Sequence, residues 1–343
     1  MRVLIVKMSS MGDVFHTFPA LSDAMRAIPD LKVDWVVEKS FSEIPEWHPV
    51  VNEVFPIELR QWRRTLWKKQ TRQTMQAFFQ QVNQNSYDLV IDAQGLLKSL
   101  WVVRKVHTGK KVGLDWQSAR EPLASLGYDE KIHVPKNQHA IERLRLLLSK
   151  ALNYDYSPNS SIFYGLDTSQ WKKPVELNEQ FKDDVYSVFL HGTTWDTKLW
   201  PETYWIELLQ KMVTKGQKVV LLWGNKEEHE RSKRIAASVK FYQTWVPEKK
   251  LSLNDVAKIL KNAQAVISVD TGLSHVAAAL ETRMIVMYRV TDPRLVGAGG
   301  GTVTHLESPC ASLYLKSFVK DKQALISLKN LSVDEVFQAL VKK

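Results

Sequence analysis

Residues 267–280 read ISVDTGLSHVAAAL. The stretch opens apolar and β-branched, as a buried strand requires, and closes with an Ala-rich run at helical spacing. Asp270, Thr271 and Gly272 break the pattern between them. A strand that ends in a small polar turn and passes straight into a helix puts partly positive N–H groups at the carboxyl edge of a sheet, where open α/β folds bind ligands. Gly272 lets the backbone come close, Thr271 offers a hydroxyl, and His275 lies about one turn into the helix, so the segment suits a phosphate or pyrophosphate. An ordinary N-cap by Asp270 or Thr271 over a packed histidine is the competing reading.

The same form recurs on either side. HGTTWDTKLWP (191–201) follows a strand and precedes a helix with Pro201 near its start. Thr193 and Thr194 are hydroxyl donors there, and Lys198 is a mobile cation suited to a diphosphate or, equally, to solvent. WGNKEEHE (223–230) places Glu227 and Glu228 after a third strand, where a carboxylate can accept from both hydroxyls of a ribose or simply favour the first turn of a helix. In the first half, VKMSSMGDVFHTFPAL (6–21) repeats the strand, turn and helix, with Ser9, Ser10 and Gly12 shaping the turn. Asp13, taken to start that helix, is an unremarkable N-cap or a candidate general base.

Apolar runs at 2–7, 32–38, 51–57 and 88–93 alternate with helical patterns, the last at 140–152. After a polar stretch with Pro158 and Pro174, the rhythm restarts at 185–192, 218–224, 265–270 and 284–288. Two βαβα series predict an α/β protein of two facing Rossmann-like domains with mostly parallel sheets and an interdomain cleft. The domains are expected at 1–175 and 180–320. A closing helical segment in 321–343 is left free to pack back on the N-terminal half.

Among 343 residues, 44% hydrophobic and 24% charged, Cys310 is the single cysteine, so neither a disulfide framework nor a cysteine zinc site is possible. The apolar run before Lys7 is too short for a signal peptide, and no stretch approaches the roughly 18 apolar residues of a membrane span. A cytoplasmic location is expected. The net charge of +10 suits nucleic acid, an anionic membrane or phosphorylated substrates. ELRQWRRTLWKKQTRQ (58–73) sets Arg60, Arg63 and Arg64 beside Trp62 and Trp67 within a long helical stretch at about 61–85. A second basic region holds Arg104, Lys105, Lys110, Lys111 and Arg120. Such regions suit an anionic surface or are merely solvated, and no recognition helix, RNP motif or zinc finger argues for nucleic acid. There is no GxxxxGK[ST], no GxGxxG after the first strand and no Asp-x-Asp pair. A P-loop NTPase is excluded, a nicotinamide enzyme is poorly supported, and a departing diphosphate must rely on helix N-termini and Lys198. No metal and no cofactor are expected.

Taken together, VKMSSMGDVFHTFPAL, DWVVE, YDLVIDAQGLLKS, DWQSAREPLASL, TTWDTKLWPE, LSLNDVAKIL and SVDTGLSHVAAAL resemble the lipopolysaccharide heptosyltransferases over roughly residues 1–310. The DWQSAREPLASL segment (115–126) narrows the likeness to those that add the first heptose. The resemblance implies a GT-B glycosyltransferase that moves heptose, with inversion, from ADP-L-glycero-D-manno-heptose to the Kdo of Kdo-lipid A. It implies a metal-independent monomer at the cytoplasmic face of the inner membrane. Asp13 would be the base. Thr193, Thr194 and Lys198 would bind the ADP phosphates alongside Thr271, Gly272 and His275. Glu228 would hold the ribose, Leu251 would line the adenine pocket, and Asp270 would contact the heptose. Ser10, Gly12, Arg60, Arg63, Arg64 and Arg120 would meet the acceptor. Where the family commonly has Tyr-Gly-Pro-Thr-Asp-Pro, this chain has Tyr288-Arg289-Val290-Thr291-Asp292-Pro293. That change bears on the donor loop and leaves the reaction class as it is. The alternatives are a transferase for an already heptosylated acceptor or another ADP-sugar, and a non-catalytic nucleotide-sugar or lipid A binding protein.

Overall fold

RVLIV has no polar face to offer water. In the computed structural model, which describes residues 1–158, 160–182, 185–308, 312–318 and 330–342, it forms β1 (Arg2–Val6), with Val3 to Val6 fully buried. Burial on both faces is the signature of a parallel sheet covered by helices. The chain divides into two units, Met1–Thr168 and Ser169–Lys343. The division falls inside the polar stretch and ahead of the expected 175–180 boundary. Residues Val175–Phe181 already form a helix there, with Leu177 and Phe181 buried.

Unit 1 is a six-stranded parallel sheet in the order β3-β2-β1-β4-β5-β6, with β2 (Lys32–Glu38), β3 (Val51–Ile57), β4 (Leu89–Asp92), β5 (Lys110–Leu114) and β6 (Glu130–Ile132). Unit 2 repeats the plan as β12-β11-β10-β7-β8-β9, using β7 (Tyr186–Leu190), β8 (Lys218–Leu221), β9 (Thr244–Trp245), β10 (Ala265–Val269), β11 (Met284–Tyr288) and β12 (Val303–Glu307). Strands β6, β9 and β12 are sheet edges, short and partly exposed, so they carry no apolar run and escape a reading based on periodicity.

The helices that matter for function are α1 (Met11–Ala27), α2 (Leu59–Arg64), α3 (Lys69–Val82) and α4 (Leu97–Arg104) in unit 1. Unit 2 contributes α5 (Glu202–Thr214), α6 (Lys226–Ala236), α7 (Leu253–Lys261) and α8 (Gly272–Ala279). The basic stretch expected as one long helix is broken into α2 and α3. At the break the Thr65 hydroxyl donates back to Gln61 O at 3.1 Å and meets the Thr71 hydroxyl at 2.9 Å, a side-chain alternative to continued helix. The closing helix, Val333–Val341, lies on α5 and β11 rather than on the N-terminal half. Val333, Val336 and Leu340 complete the core of unit 2 together with Trp205 and Met287. No helix among the described residues is long and apolar enough to cross a membrane.

Candidate active site

In unit 1 the strand order reverses between β1 and β4, and the loops that follow those two strands are tied to each other. Gln94, after β4, accepts from Met8 N at 2.8 Å and Ser9 N at 3.3 Å, and donates back to Ser9 O. Buried Lys7 crosses the same gap to Ala93 O at 3.0 Å. This fixes the turn from which α1 starts. Ser10, not Asp13, is the N-cap, and Asp13 stands at the third helical position in a capping box. The Ser10 N–H and hydroxyl both donate to Asp13 Oδ2 at 2.8 Å. The other oxygen, Oδ1, lies 3.5 Å from Lys7 Nζ, with the Lys7 side chain 7% exposed and that of Asp13 40%. Burial pushes the Asp13 carboxyl up, but Lys7, His16 and the Ser10 bonds outweigh it and hold the group well below the usual carboxylate range. The result is a carboxylate that favours its ionised form, with one oxygen pinned and a face open to solvent.

Unit 2 reverses between β7 and β10, and its loops are likewise joined. The Thr193 hydroxyl donates to Asp270 O at 2.9 Å, and Lys198 Nζ lies 2.6 Å from Asp270 Oδ2. Lys198 also sits over the Trp195 ring, 4.7 Å from its centroid. Thus Lys198 and Asp270, expected on different parts of a donor, are paired with each other. Thr271 is the N-cap of α8 with no side-chain bond to its own helix, and Gly272 opens that helix. In the first turn of α8 the Ser274 N–H donates to Thr271 O at 3.2 Å, which leaves those of Gly272 and Leu273 without an intrahelical acceptor. Thr194 is exposed, Leu251 is half-buried just ahead of α7, and His275 is buried within α8.

Glu228 takes the place its helix-start reading gave it. Its Oε2 accepts from Gly224 N at 2.7 Å and its N–H donates to Asn225 Oδ1 at 2.9 Å, the ordinary service of an acid in a first helical turn. The same carboxylate lies against Gly192 in the loop after β7, where an added Cβ would come within 2.6 Å of Oε1. Glu227 is exposed.

The Lys198 loop is braced from below. Thr197 donates to Leu315 O at 2.6 Å and Trp200 Nε1 to Leu331 O at 2.8 Å. Arg289, the departure from the family pattern, is buried and donates to Leu199 O; burial pushes its guanidinium down to about 10. The bulk that replaces Gly-Pro therefore packs beneath the loop that carries Lys198.

Arg60, Arg63 and Arg64 are exposed on α2, and Arg120 is exposed in the loop after β5. Glu38 faces Arg60: burial raises its carboxyl above the usual range against the pull of that guanidinium. In the second basic region two of the cations are engaged locally. Lys110 is engaged by Glu130 at 2.6 Å, and Lys111 by the Thr108 and Gly109 carbonyls. Sequence reasoning missed Lys7, Gln94, Lys98, Gly192 and Trp195. Lys7 had a signal, being a cation that directly ends a buried apolar strand.

Residues 75–322 match the family model described as Glycosyltransferase family 9 (heptosyltransferase). The chain is 47% identical to lipopolysaccharide heptosyltransferase 1 of Pseudomonas aeruginosa over 319 residues, 92% of this chain and 87% of that one. Its fold is similar to the structure of E. coli heptosyltransferase WaaC with ADP, with a TM-score of 0.85, 42% identity and 99% of each chain covered. The same E. coli protein with ADP-2-deoxy-2-fluoro heptose gives 0.83 and 41%, again over 99% of each chain.

Proposed function

The chain belongs to glycosyltransferase family 9, the heptosyltransferases, and from that premise we propose that it transfers L-glycero-D-manno-heptose from ADP-heptose to the Kdo of a Kdo-lipid A acceptor. The observation that carries this reading is that each unit has a prepared end at the switch point of its own sheet. Unit 1 offers the ionised Asp13 carboxylate. Unit 2 offers Lys198, Asp270 and the N-terminus of α8.

The chemistry follows from those ends. The acceptor hydroxyl oxygen attacks the anomeric carbon and its proton passes to Asp13, while the bond from that carbon to the ADP oxygen breaks on the opposite face. One displacement inverts the configuration, and its transition state has oxocarbenium character like that of glycoside hydrolysis. The charge left on the diphosphate meets Lys198, the Thr194 and Thr271 hydroxyls and the N–H groups of α8. Lys198 reaches the phosphate by sharing or exchanging its bond to Asp270. Glu228 accepts from the ribose through the oxygen beside Gly192, and Leu251 borders the base. These protein groups take the leaving-group role that a metal fills elsewhere, so the reading calls for neither metal nor cofactor.

Support for the donor comes from the relatives: the similar E. coli structures hold ADP and an ADP-fluoroheptose. Arg60, Arg63, Arg64 and Arg120 are exposed cations, which supports a role for them toward the acid and phosphate groups of the acceptor. Each such cation contributes on the order of 1 kcal/mol at an anionic bilayer, which supports peripheral work at the cytoplasmic face of the inner membrane. The test is ADP release from ADP-heptose with defined acceptors. Release with Kdo-lipid A and none with an acceptor that already carries the first heptose supports the proposal. The reverse pattern assigns the second transfer instead, and donor binding without release in either case makes the protein a binding module.

A further inference from the structure

Unit 1 carries an open trough that the transfer chemistry does not use. One part is a cavity of about 660 Å³ lined by Trp62, Leu66, Met75, Leu97 and Trp101, within the size range of small-molecule sites and mostly apolar as those sites are. A second cavity of about 930 Å³ shares Met75 and Trp101 and continues past Phe79 to Lys105 and His107. The two form one elongated depression. Its aromatic bed is braced by edge-to-face contacts: Trp62 to Phe78 at 5.5 Å, Phe78 to Phe79 at 5.1 Å and Phe79 to Trp101 at 5.2 Å. Leu66 and Leu97 each keep 47% of their surface exposed, so the lining is apolar surface offered to solvent.

The charges at one end say what fits. Arg63 and Lys98 stand in the cavity wall. Arg60 acts on Lys98 as a neighbouring charge. Glu121, the acid in that wall, is engaged by Leu97 N at 2.6 Å. Lys98 Nζ also donates to Ser9 Oγ at 3.1 Å, and Ser9 is next to Ser10, whose N–H and hydroxyl hold Asp13. The cationic end of the first cavity is therefore continuous with the turn that carries the candidate base, and the aromatic and aliphatic bed adjoins it, turning polar only beyond Phe79 where Arg72, Lys105 and His107 stand. An amphiphile with an anionic sugar head and a hydrocarbon tail matches that order.

We propose that this trough receives an acyl chain of the acceptor glycolipid, with Arg63 and Lys98 meeting the anionic sugar that precedes it. The proposal rests on the acceptor reading above and adds a lipid subsite to it.

Trp62 and Trp101 allow a test that needs no turnover. Full-length protein is titrated with dodecyl phosphate brominated along its chain, below its micelle concentration, because bromine quenches tryptophan on contact. Saturable quenching is expected, with none from inorganic phosphate. The double variants Leu66→Ser/Leu97→Ser and Leu66→Asp/Leu97→Asp should weaken it by about tenfold or more, equivalent to about 1.4 kcal/mol. A near-ultraviolet circular dichroism spectrum and a melting curve like those of the wild type report that unit 1 of each variant is folded. In parallel, KM for acylated Kdo-lipid A should lie about tenfold below that for the fully deacylated acceptor, and the double variants should bring the two values together. No quenching, quenching unchanged in both variants, or equal KM values in the wild type overturns the proposal. Absence of ADP release with every Kdo acceptor defeats the acceptor reading instead, while quenching that depends on Leu66 and Leu97 still supports an acyl site.

Discussion

Lys198 Nζ lies 2.6 Å from Asp270 Oδ2, an ion pair that joins the loop after β7 to the end of β10. Both side chains are largely buried, so removing either one leaves a charge without its partner in a place that water reaches poorly. On the proposed reading the pair would orient the lysine before a diphosphate arrives, and the diphosphate would compete with a carboxylate for the same ammonium.

Replacing each partner should therefore separate binding from turnover. Lys198→Ala should weaken ADP by about 10- to 150-fold, the worth of a hydrogen bond to a charged group, and slow transfer as well. Asp270→Asn should leave ADP affinity equal or stronger, because Lys198 is released, while transfer falls. Calorimetry with ADP beside initial rates checks this; an unchanged ADP constant in Lys198→Ala refutes the phosphate role.

Glu228 and Gly192 make a second pair. Adding a methyl at 192 would press on the Glu228 carboxylate, whose carbon would lie 2.4 Å away. Gly192→Ala and Glu228→Gln should both weaken ADP, and should weaken ADP with an intact ribose more than its 2′-deoxy counterpart, while pyrophosphate affinity stays level. Equal losses for all three ligands would show that the carboxylate does not read the ribose.

Lys7 sets the state of Asp13. With the ammonium 3.5 Å from Oδ1 removed in Lys7→Met, burial acts with one opponent fewer and the carboxyl should rise by about one to three pH units. The acid limb of kcat/KM should move up with it. A profile that does not move would mean that Lys7 serves only to tie β1 to Ala93.

Two buried histidines predict the acid sensitivity of the fold. His48 and His191 are held down to about 4 from 6.5, His48 by burial, His191 by burial and then by the Arg231 charge. Their hydrogen bonds to Ser22 and Ser232 seat the neutral rings. Between pH 6.5 and 4 the unfolded chain binds protons that the folded chain refuses. Stability is thus complete above about 6.5 and falls as the pH drops, by up to roughly 3 kcal/mol for each ring. Asp13 is offset in the same direction, its folded value lying below the ordinary one. Its contribution is present above the ordinary carboxylate value and is lost only at still lower pH. Melting curves at pH 4.5 to 7.5 should show the decline, and His48→Gln should flatten it.

Much of the fold was legible because its central strands are buried on both faces: RVLIV, LVID, YSVFL and AVISV advertise a parallel sheet by having no polar side. The edge strands EKI and TW were silent for the reason that makes them edges. The candidate residues on turns after those strands could be named in advance, since small polar residues between a strand and a helix mark the carboxyl edge of the sheet. Their partners could not. That Lys198 would bond Asp270, that Gln94 would clasp Ser9, and that Ser10 would cap the helix ahead of Asp13 depend on strand order, which periodicity does not report. The helix Val333–Val341 has an apolar face that suits either unit, and only the gap beside α5 and β11 decided its place.

The central claim is that Asp13 takes the acceptor's proton while unit 2 holds the donor. Asp13→Asn keeps the shape, the N-terminal position and the bonds from Ser10 but removes the basic oxygen. Its rate of ADP release with ADP-heptose and Kdo-lipid A should fall by about 10²- to 10⁴-fold, with ADP affinity unchanged. Transfer near the wild-type rate would contradict the account.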